Sequence, residues 1–271
     1  MTRKAAGPAR FPAGLDRLGV SPARPADAVS RPQRLLREAA RDAARQVSPS
    51  GLGLDSAAVR ERMVQRLRAQ GVRHDGVLAA FGVVPRHVFV DSALVGQAYE
   101  DTSLPIGWGQ TISKPSVVAR MMVLLFEGAS ARQAGSLGRV LEIGTGCGYQ
   151  VALLAEVSRH VVSVERLKPL HDKARQNLAA WRGTKVRLVH GDGRLGHGPN
   201  APYDSIIAAA GGEAIPPAWL DQLAEGGRLV APMHDPGSGG QVLVVVDKRD
   251  GVAVRSQQEP VHFVPLKSGV E

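Results

Sequence analysis

The chain has 271 residues, of which 44% are hydrophobic and 22% charged, as in an ordinary globular protein, and its net charge is +9. No apolar run approaches the roughly 18 to 20 residues of a membrane-spanning helix, and no apolar stretch follows the basic N-terminus as in a secretory signal. The single cysteine excludes an intramolecular disulfide and no residues have metal-ligand spacing, so we expect a cytoplasmic protein without a metal.

Residues 1–53 are predicted to form a basic N-terminal extension that is largely disordered. Six prolines lie in it, and their fixed φ angles and missing N–H donors oppose helix and sheet alike. Residues 33–46 can form a helix, but a marginal one, because its apolar content is mostly alanine. Residues 1–54 carry ten Lys and Arg against four Asp and Glu, which accounts for most of the net charge. A solvated tail therefore explains the basicity better than a nucleic-acid partner.

The folded body is predicted to span residues 54–271, and it begins with two helices. The first has apolar residues at helical spacing, a cap at Asp55 or Ser56, and a stop at Gly71. The second covers residues 74–84 and ends before Pro85.

Residues 107–116, GWGQTISKPS, are typical of a polar loop that leads into an apolar helix beginning near Pro115. The loop presents the hydroxyls of Thr111 and Ser113 together with backbone N–H groups, but it holds no carboxylate and no histidine. The hydroxyls either cap the helix or bind a ligand at its N-terminus, and the two roles are compatible.

From Arg139 onward, buried strands alternate with helices, a pattern that predicts a parallel sheet. The predicted strands cover residues 139–144, 160–165, 186–192, 203–210 and 227–233, and the predicted helices cover residues 149–158, 168–181 and 216–223. Residues 241–251 and 252–266 lack an intervening helix, so we expect antiparallel edge strands joined by a turn at Asp250 and Gly251. The sequence thus predicts a Rossmann-like α/β fold with a mostly parallel sheet flanked by helices.

A glycine-rich segment, EIGTGCG at residues 142–148, follows the first of these strands and precedes a helix. In this context the glycines let the backbone approach a ligand at the helix N-terminus. The G-x-G-x-G spacing differs from that of dinucleotide sites and resembles motif I of class I S-adenosylmethionine-dependent methyltransferases. The candidate cofactor residues here are Glu142, Gly144, Thr145, Gly146 and Gly148. Glu142 either contacts the cofactor or is hydrogen-bonded to the loop, and Cys147 is expected to fill the loop rather than act as a nucleophile.

Two further acidic candidates end the next two predicted strands. Glu165 is placed to accept hydrogen bonds from both ribose hydroxyls, as acidic residues do in Rossmann-type sites. On the methyltransferase resemblance, Asp192 accepts from the adenine amine while the backbone at Gly193 approaches the ring; the alternative for Asp192 is a simple turn. One cofactor, S-adenosyl-L-methionine, would explain all three strand ends.

The sequence also carries a family resemblance beyond the glycine segment. Between residues 55 and 266 the segments VPRHVFV, AYEDTSLPIGWGQTISKPSVVARM, VLEIGTGCGYQ, YDSIIAAA, LAEGGRLVAPM and VHFVPL occur in this order. Together they resemble the protein-L-isoaspartate (D-aspartate) O-methyltransferase family, for which GQTIS ahead of the glycine segment is a narrow signature. The resemblance implies one methyltransferase domain, with N-terminal helices and a substrate loop in residues 54–138 and a cofactor-binding sheet in residues 139–271.

The resemblance further implies a protein-repair reaction, in which the methyl group of S-adenosylmethionine passes to the α-carboxylate of an L-isoaspartyl residue. Ser113 would be the active-site serine that binds this carboxylate, and Thr111 would lie beside it. Isoaspartyl-containing proteins and peptides are then the expected partners, and we expect a monomer.

Three features depart from the family pattern. Trp108 stands where His or Tyr is expected, the Gly211–Gly212 pair is expected to loosen one wall of the site, and the family core needs no N-terminal extension. A methyltransferase acting on RNA and a regulatory module without chemistry are the alternatives. The nearly balanced body with few aromatic residues disfavours RNA. Intact Ser113 and Glu165 disfavour the regulatory module.

Overall fold

The computed structural model describes residues 57–181 and 185–271. The predicted extension over residues 1–53, its helix at 33–46 and the predicted cap at Asp55 or Ser56 lie outside the described residues. The domain boundary at residue 54 therefore stays a prediction.

The N-terminal part of the body consists of helices and one hairpin. Its elements are α1 (Ala57–Ala69), α2 (Asp75–Val83), β1 (Leu104–Gly107), β2 (Gln110–Ile112), α3 (Pro115–Phe126) and α4 (Ala129–Ala134), with 3₁₀ turns at Arg86–Phe89 and Ser92–Gln97. Gly71 has a φ of 100° just after α1, which is the left-handed helix stop that the sequence predicts.

The rest of the body is a seven-stranded sheet with helices on both faces. Its strands are β3 (Arg139–Ile143), β4 (His160–Glu165), β5 (Val186–His190), β6 (Tyr203–Ala208), β7 (Leu223–Asp235), β8 (Gly240–Arg249) and β9 (Val252–Val261). Its helices are α5 (Tyr149–Val157), α6 (Lys168–Asn177) and α7 (Pro217–Gln222), with 3₁₀ turns at Leu178–Trp181, Gly193–Leu195 and Gly198–Asn200.

The strands lie in the order β5-β4-β3-β6-β7-β8-β9, so β3 is flanked by β4 and β6. Strands β3 to β7 pair in parallel, whereas β8 and β9 add antiparallel pairs at one edge. The predicted fold class is therefore confirmed. All parallel strands end at the same edge of the sheet, where the glycine segment follows β3.

Two apolar clusters cover the two faces of the sheet. The larger cluster joins one face to α1, α2, α3, α5 and α6, and the smaller one joins the other face to α7. Alternate residues of one strand serve the two clusters, as Val140 and Leu141 do in β3. This burial on both faces explains why the parallel strands are near-continuous apolar runs.

The segment predicted as a loop at residues 107–116 instead contains an antiparallel hairpin. Strand β1 pairs with β2, with Leu104 opposite Ile112 and Pro105 opposite Thr111. The turn places Gly107, Trp108 and Gly109 at φ values of 95°, 51° and 68°. The prediction failed because these strands are short, with four and three residues, and the glycines in the sequence indicate a turn more strongly than they indicate the strands beside it.

The C-terminal prediction is correct for the turn and wrong for the strand length. Asp250 and Gly251 have φ values of 51° and 75°, and the Glu225 carboxylate accepts hydrogen bonds from both of their N–H groups. Strand β9, however, ends at Val261. The chain then leaves the sheet edge, and Gly211 accepts a hydrogen bond from the N–H of Leu266 and donates one to the carbonyl of Val264.

No helix among residues 57–181 and 185–271 combines the length and the apolar character that crossing a membrane requires.

Gly138 and Gly135 provide a matched test of the packing at the start of β3. Both have left-handed φ values, 66° and 61°, but a Cβ at Gly138 would overlap the Asp204 carboxylate, whereas nothing lies within 4 Å of a Cβ at Gly135. That carboxylate accepts a hydrogen bond of 2.7 Å from the Arg139 N–H and so ties β3 to β6.

We expect Gly135→Ala to lower the free energy of unfolding by about 1 kcal/mol, the cost of left-handed backbone. Gly138→Ala should lower the free energy of unfolding by about 2 to 4 kcal/mol. This substitution has the same backbone cost, and it also displaces the Asp204 carboxylate and breaks its hydrogen bond to Arg139. Urea unfolding of the two variants measures both values, and equal losses would contradict this packing.

Candidate active site

A cavity that opens to solvent lies at the carboxyl ends of β3 and β4, and its empty space, counted together with the solvent at its mouth, is about 880 Å³. Strand ends and the glycine segment form its floor, and the β1–β2 hairpin and the start of α3 form one side. The C-terminal residues Val264, Pro265, Leu266 and Lys267 form another side. Helices α1 and α2 do not line it.

The glycine segment turns sharply between β3 and α5. Gly144, Gly146 and Gly148 have φ values of 89°, 55° and 92°, which favour glycine at each position. Gly144, Thr145 and Gly146 line the cavity, whereas Gly148 begins α5 away from it. A Cβ at Gly148 would lie 2.9 Å from Leu178, so this glycine is required for packing.

Glu165 supports the glycine segment from the end of β4. Its side chain is buried, with 5% of the residue exposed, and lines the cavity. Oε2 accepts a hydrogen bond of 2.8 Å from the Gly146 N–H, and Oε1 accepts one of 2.9 Å from the Leu167 N–H. Each carboxylate oxygen has two lone pairs, so both retain one acceptor position toward the cavity. The predicted contact with ribose stays a prediction.

Glu142 lies beneath the glycine segment rather than in the cavity. It is fully buried, and its Oε2 accepts a hydrogen bond from the Ser163 hydroxyl, which in turn lies 2.6 Å from the Thr145 hydroxyl. Burial raises the pKa of Glu142 to about 8, since the Ser163 hydrogen bond only partly offsets the loss of water. Of the two roles that the sequence left open, this geometry matches the hydrogen-bonded support of the loop.

Asp192 is engaged by the chain itself. Its Oδ1 accepts a hydrogen bond of 2.8 Å from the Arg194 N–H, as in a turn, and its Oδ2 accepts one of 2.6 Å from the Gly269 N–H. Gly193 lines the cavity, but a Cβ there would lie 2.6 Å from Ile143, so packing alone requires a glycine. The predicted adenine contacts of both residues stay predictions.

Ser113 and Thr111 both line the cavity, together with residues of the glycine segment. Ser113 is half-buried and Thr111 is exposed. Neither caps α3: the residue before the helix is Lys114, without a side-chain cap, and Asp101 accepts a hydrogen bond of 2.9 Å from the Ser116 N–H. The capping alternative is therefore wrong, and both hydroxyls remain available to a ligand.

Gly211 fixes a wall of the cavity rather than loosening it. A Cβ at this position would overlap the Gln241 amide, whose two ends bind the backbone of Phe263 at 3.2 and 2.7 Å. The same glycine is hydrogen-bonded to Val264 and Leu266. Gly212 donates to the carbonyl of Pro232. The expectation of a loose wall is wrong, because the glycines permit a close approach of two chain segments.

The sequence reasoning assigned no site role to the C-terminal segment, Val264–Lys267, or to Gln150 and Tyr149 at the start of α5, which also line the cavity. The side chain of Gln150 is buried beside the Glu142 carboxyl, and the hydroxyl of Tyr149 is buried beside the Arg86 guanidinium. The motif VHFVPL marked the C-terminal segment, but its alternation indicated a longer strand.

Cys147, Trp108 and the histidines do not add a nucleophile or a metal to the site. Burial raises the pKa of the Cys147 thiol, which opposes formation of a nucleophilic thiolate. Trp108 is 55% exposed at the hairpin turn and does not line the cavity. Within the described residues, no group of three or more His, Cys, Asp or Glu side chains could hold a metal ion.

The buried carboxyl of Glu142 makes a pH-dependent prediction. Between its ordinary pKa near 4.5 and its folded value of about 8, the unfolded chain loses the proton that the folded chain keeps. The contribution of this group to stability therefore falls as the pH rises through that window. Glu142→Gln does not ionise, so its stability relative to the unsubstituted protein should rise by more than about 2 kcal/mol from pH 5 to pH 8.

Urea unfolding at both pH values measures this difference, with Glu213→Gln at an exposed position as a control for net charge. A stability difference for Glu142→Gln that does not change with pH would show that Glu142 is ionised in the folded protein.

Comparison with known proteins identifies the family. The profile described as Protein-L-isoaspartate(D-aspartate) O-methyltransferase (PCMT) matches residues 58–271. A protein-L-isoaspartate O-methyltransferase of Methylibium petroleiphilum is 61% identical over 263 residues, 97% of each chain. A solved protein-L-isoaspartate O-methyltransferase superposes with a TM-score of 0.69 at 30% identity, covering 78% of this chain and 67% of its own.

A related structure from Plasmodium falciparum, described as a putative enzyme of this kind in complex with S-adenosyl-L-homocysteine, has the same fold. Its TM-score is 0.66 at 24% identity, and the match covers 77% of this chain and 98% of that one. The chain thus belongs to the protein-L-isoaspartate (D-aspartate) O-methyltransferase family.

Proposed function

We propose that this chain is a protein-repair methyltransferase, which transfers the methyl group of S-adenosylmethionine to the α-carboxylate of L-isoaspartyl residues. One observation supports the proposal beyond family membership. A single cavity is lined both by the glycine segment after β3 and by Ser113, whose hydroxyl does not cap α3. Both features line this one cavity, where a cofactor and a carboxylate substrate would meet.

The cavity residues fit S-adenosylmethionine on two counts. The backbone of Gly144 and Gly146 lines the cavity without side chains, and each Glu165 carboxylate oxygen retains an acceptor position for ribose hydroxyls.

The reaction needs no general base from the protein. When bound, S-adenosylmethionine supplies a methyl group that its positively charged sulfur already activates. The attacking oxygen belongs to a substrate carboxylate, whose pKa near 4 leaves it ionised at pH 7. The protein therefore has to align the two reactants and exclude water. This requirement agrees with residues 107–116, which present hydroxyls and backbone N–H groups but contain no carboxylate and no histidine.

Ser113 is proposed to bind and orient the substrate carboxylate. Its hydroxyl can donate one hydrogen bond to the carboxylate, and it lies just before α3, a helix of 12 residues whose N-terminus favours an anion. Thr111 lies two residues away on the same side of the cavity and would contact the same region of the substrate.

The wider predictions stand as follows. A methyltransferase acting on RNA is not favoured, because the related proteins carry the isoaspartate name and most of the positive charge lies in residues 1–54. The monomeric state and the cytoplasmic location stay predictions.

The function is tested with labelled S-adenosylmethionine and two peptides that differ only in Asp or isoaspartate, with RNA as a third substrate. We expect base-labile label in the isoaspartyl peptide alone, because the product is a methyl ester. Label in RNA, or equal label in both peptides, would contradict the proposal.

Replacement of Ser113 tests its role in the site. Ser113→Ala should lower kcat/KM for the isoaspartyl peptide by about 10- to 100-fold, since it removes one hydrogen bond to a charged group. The Kd for S-adenosylhomocysteine should change by less than about threefold, because the glycine segment is untouched. Ser116→Ala, three residues along the chain and outside the cavity, is the matched control. A wild-type kcat/KM in Ser113→Ala would refute this role.

A further inference from the structure

We propose that Arg86 is a positioning residue for Ser113, an inference that rests on the proposed function. Arg86 lies in the 3₁₀ turn after α2 and is fully buried. Its Nη2 donates a hydrogen bond of 2.8 Å to the Ser113 carbonyl, and its Nε donates one of 2.7 Å to the Ala98 carbonyl. Nη2 also lies 3.4 Å from the carbonyl of Thr102.

One guanidinium thus holds both ends of the segment that forms the substrate side of the cavity. The segment begins at Ala98, whose carbonyl binds Arg86, and it ends at Ser113, whose carbonyl binds the same side chain. The β1–β2 hairpin lies between these two residues. The planar fork of an arginine can reach carbonyls in several directions at once, which the single ammonium of a lysine cannot do. Hydrogen bonds to carbonyl oxygens orient the backbone of Ser113 and leave its hydroxyl free for the cavity.

The surroundings of Arg86 show that burying its charge costs free energy of folding. Within residues 57–181 and 185–271 no carboxylate forms an ion pair with it, and the Asp101 carboxylate acts on it only weakly, from farther away. The guanidinium lies over the Tyr149 ring, 4.8 Å from the ring centre, and burial lowers the pKa of Arg86. A buried charge without a carboxylate partner lowers the stability of the fold. We therefore infer that Arg86 serves to fix the geometry of the carbonyls that it binds rather than to stabilise the fold.

The geometry fixed by Arg86 matters because the proposed reaction depends on alignment. A displacement of about 1 Å at a positioning group can cost on the order of 100-fold in rate. Loss of the fork should therefore lower methyl transfer through Ser113, while the glycine segment and Glu165 continue to bind the cofactor.

A double-mutant cycle with Ser113 tests this relation. We expect Arg86→Lys, which keeps the charge and loses the fork, to lower kcat/KM for an isoaspartyl peptide by at least about tenfold. In the Ser113→Ala background the same change should cost less than about threefold, because the hydroxyl that Arg86 positions is already absent. A residue that only stabilised the fold would give the same loss in both backgrounds.

Arg228→Lys is the matched control. Arg228, in β7 and outside the cavity, is also a buried arginine. It donates to the Leu124 carbonyl at 2.9 Å and pairs with Asp247 of β8. We expect Arg228→Lys to lower the Tm and to leave kcat/KM within about twofold. The Kd for S-adenosylhomocysteine, measured for every variant, reports whether the cofactor side is intact.

Each outcome decides the inference. If Ser113→Ala lowers kcat/KM but Arg86→Lys costs the same in both backgrounds, the positioning role is wrong and the proposed function stands. If Ser113→Ala itself has no effect, the proposed role of Ser113 is wrong and that of Arg86 falls with it. Arg86→Gln, which keeps one planar amide donor, is carried through the same cycle. Loss of S-adenosylhomocysteine binding in both Arg86 variants would also overturn the inference, because Arg86 would then serve the whole fold.

Discussion

The site depends on the hydrogen bonds that the Glu165 carboxylate accepts from Gly146 and Leu167. Parallel strands β3 and β4 end at one edge of the sheet, where the chain must turn into two helices and leave backbone N–H groups unpaired. A buried carboxylate at the end of β4 satisfies one N–H from each turn. This arrangement holds the glycine segment open over the cavity, and it is reinforced from below by the chain from Glu142 through Ser163 to Thr145.

The rest of the cavity wall is built from chain segments far apart in sequence, and each is fixed through its backbone. Arg86 holds the carbonyls at the two ends of the hairpin segment, and Gly211 together with Gln241 holds the C-terminal residues against the sheet. Glu142, Cys147 and Tyr149 are the titratable side chains with a raised pKa at the glycine segment, and burial makes all three unsuited to proton transfer. The site is therefore a rigid frame for two reactants that bring their own charges.

The sequence predicts the parts of the molecule that local pattern determines. Apolar runs predicted the sheet, the glycine spacing predicted the turn after β3, and Asp250–Gly251 predicted the final hairpin. Each of these features depends on residues that are neighbours in the sequence. The partner of Asp192 was missed since Gly269 lies 77 residues away. Arg86 was missed because an arginine after a proline is usually a surface residue, and only the folded chain reveals its three carbonyls. Capping by Ser113 failed because Asp101, from a different segment, takes that role.

The account rests on alignment without proton transfer by the protein, and the pH dependence of a single turnover tests it most directly. With enzyme saturated by S-adenosylmethionine and an isoaspartyl peptide, we predict a rate of methyl transfer that changes by less than about twofold between pH 6 and pH 8. Over that range the substrate carboxylate stays ionised and no side chain has to accept its proton. A rate that rises about tenfold per pH unit in this range, and loses that rise when one histidine or cysteine is replaced, would contradict the account.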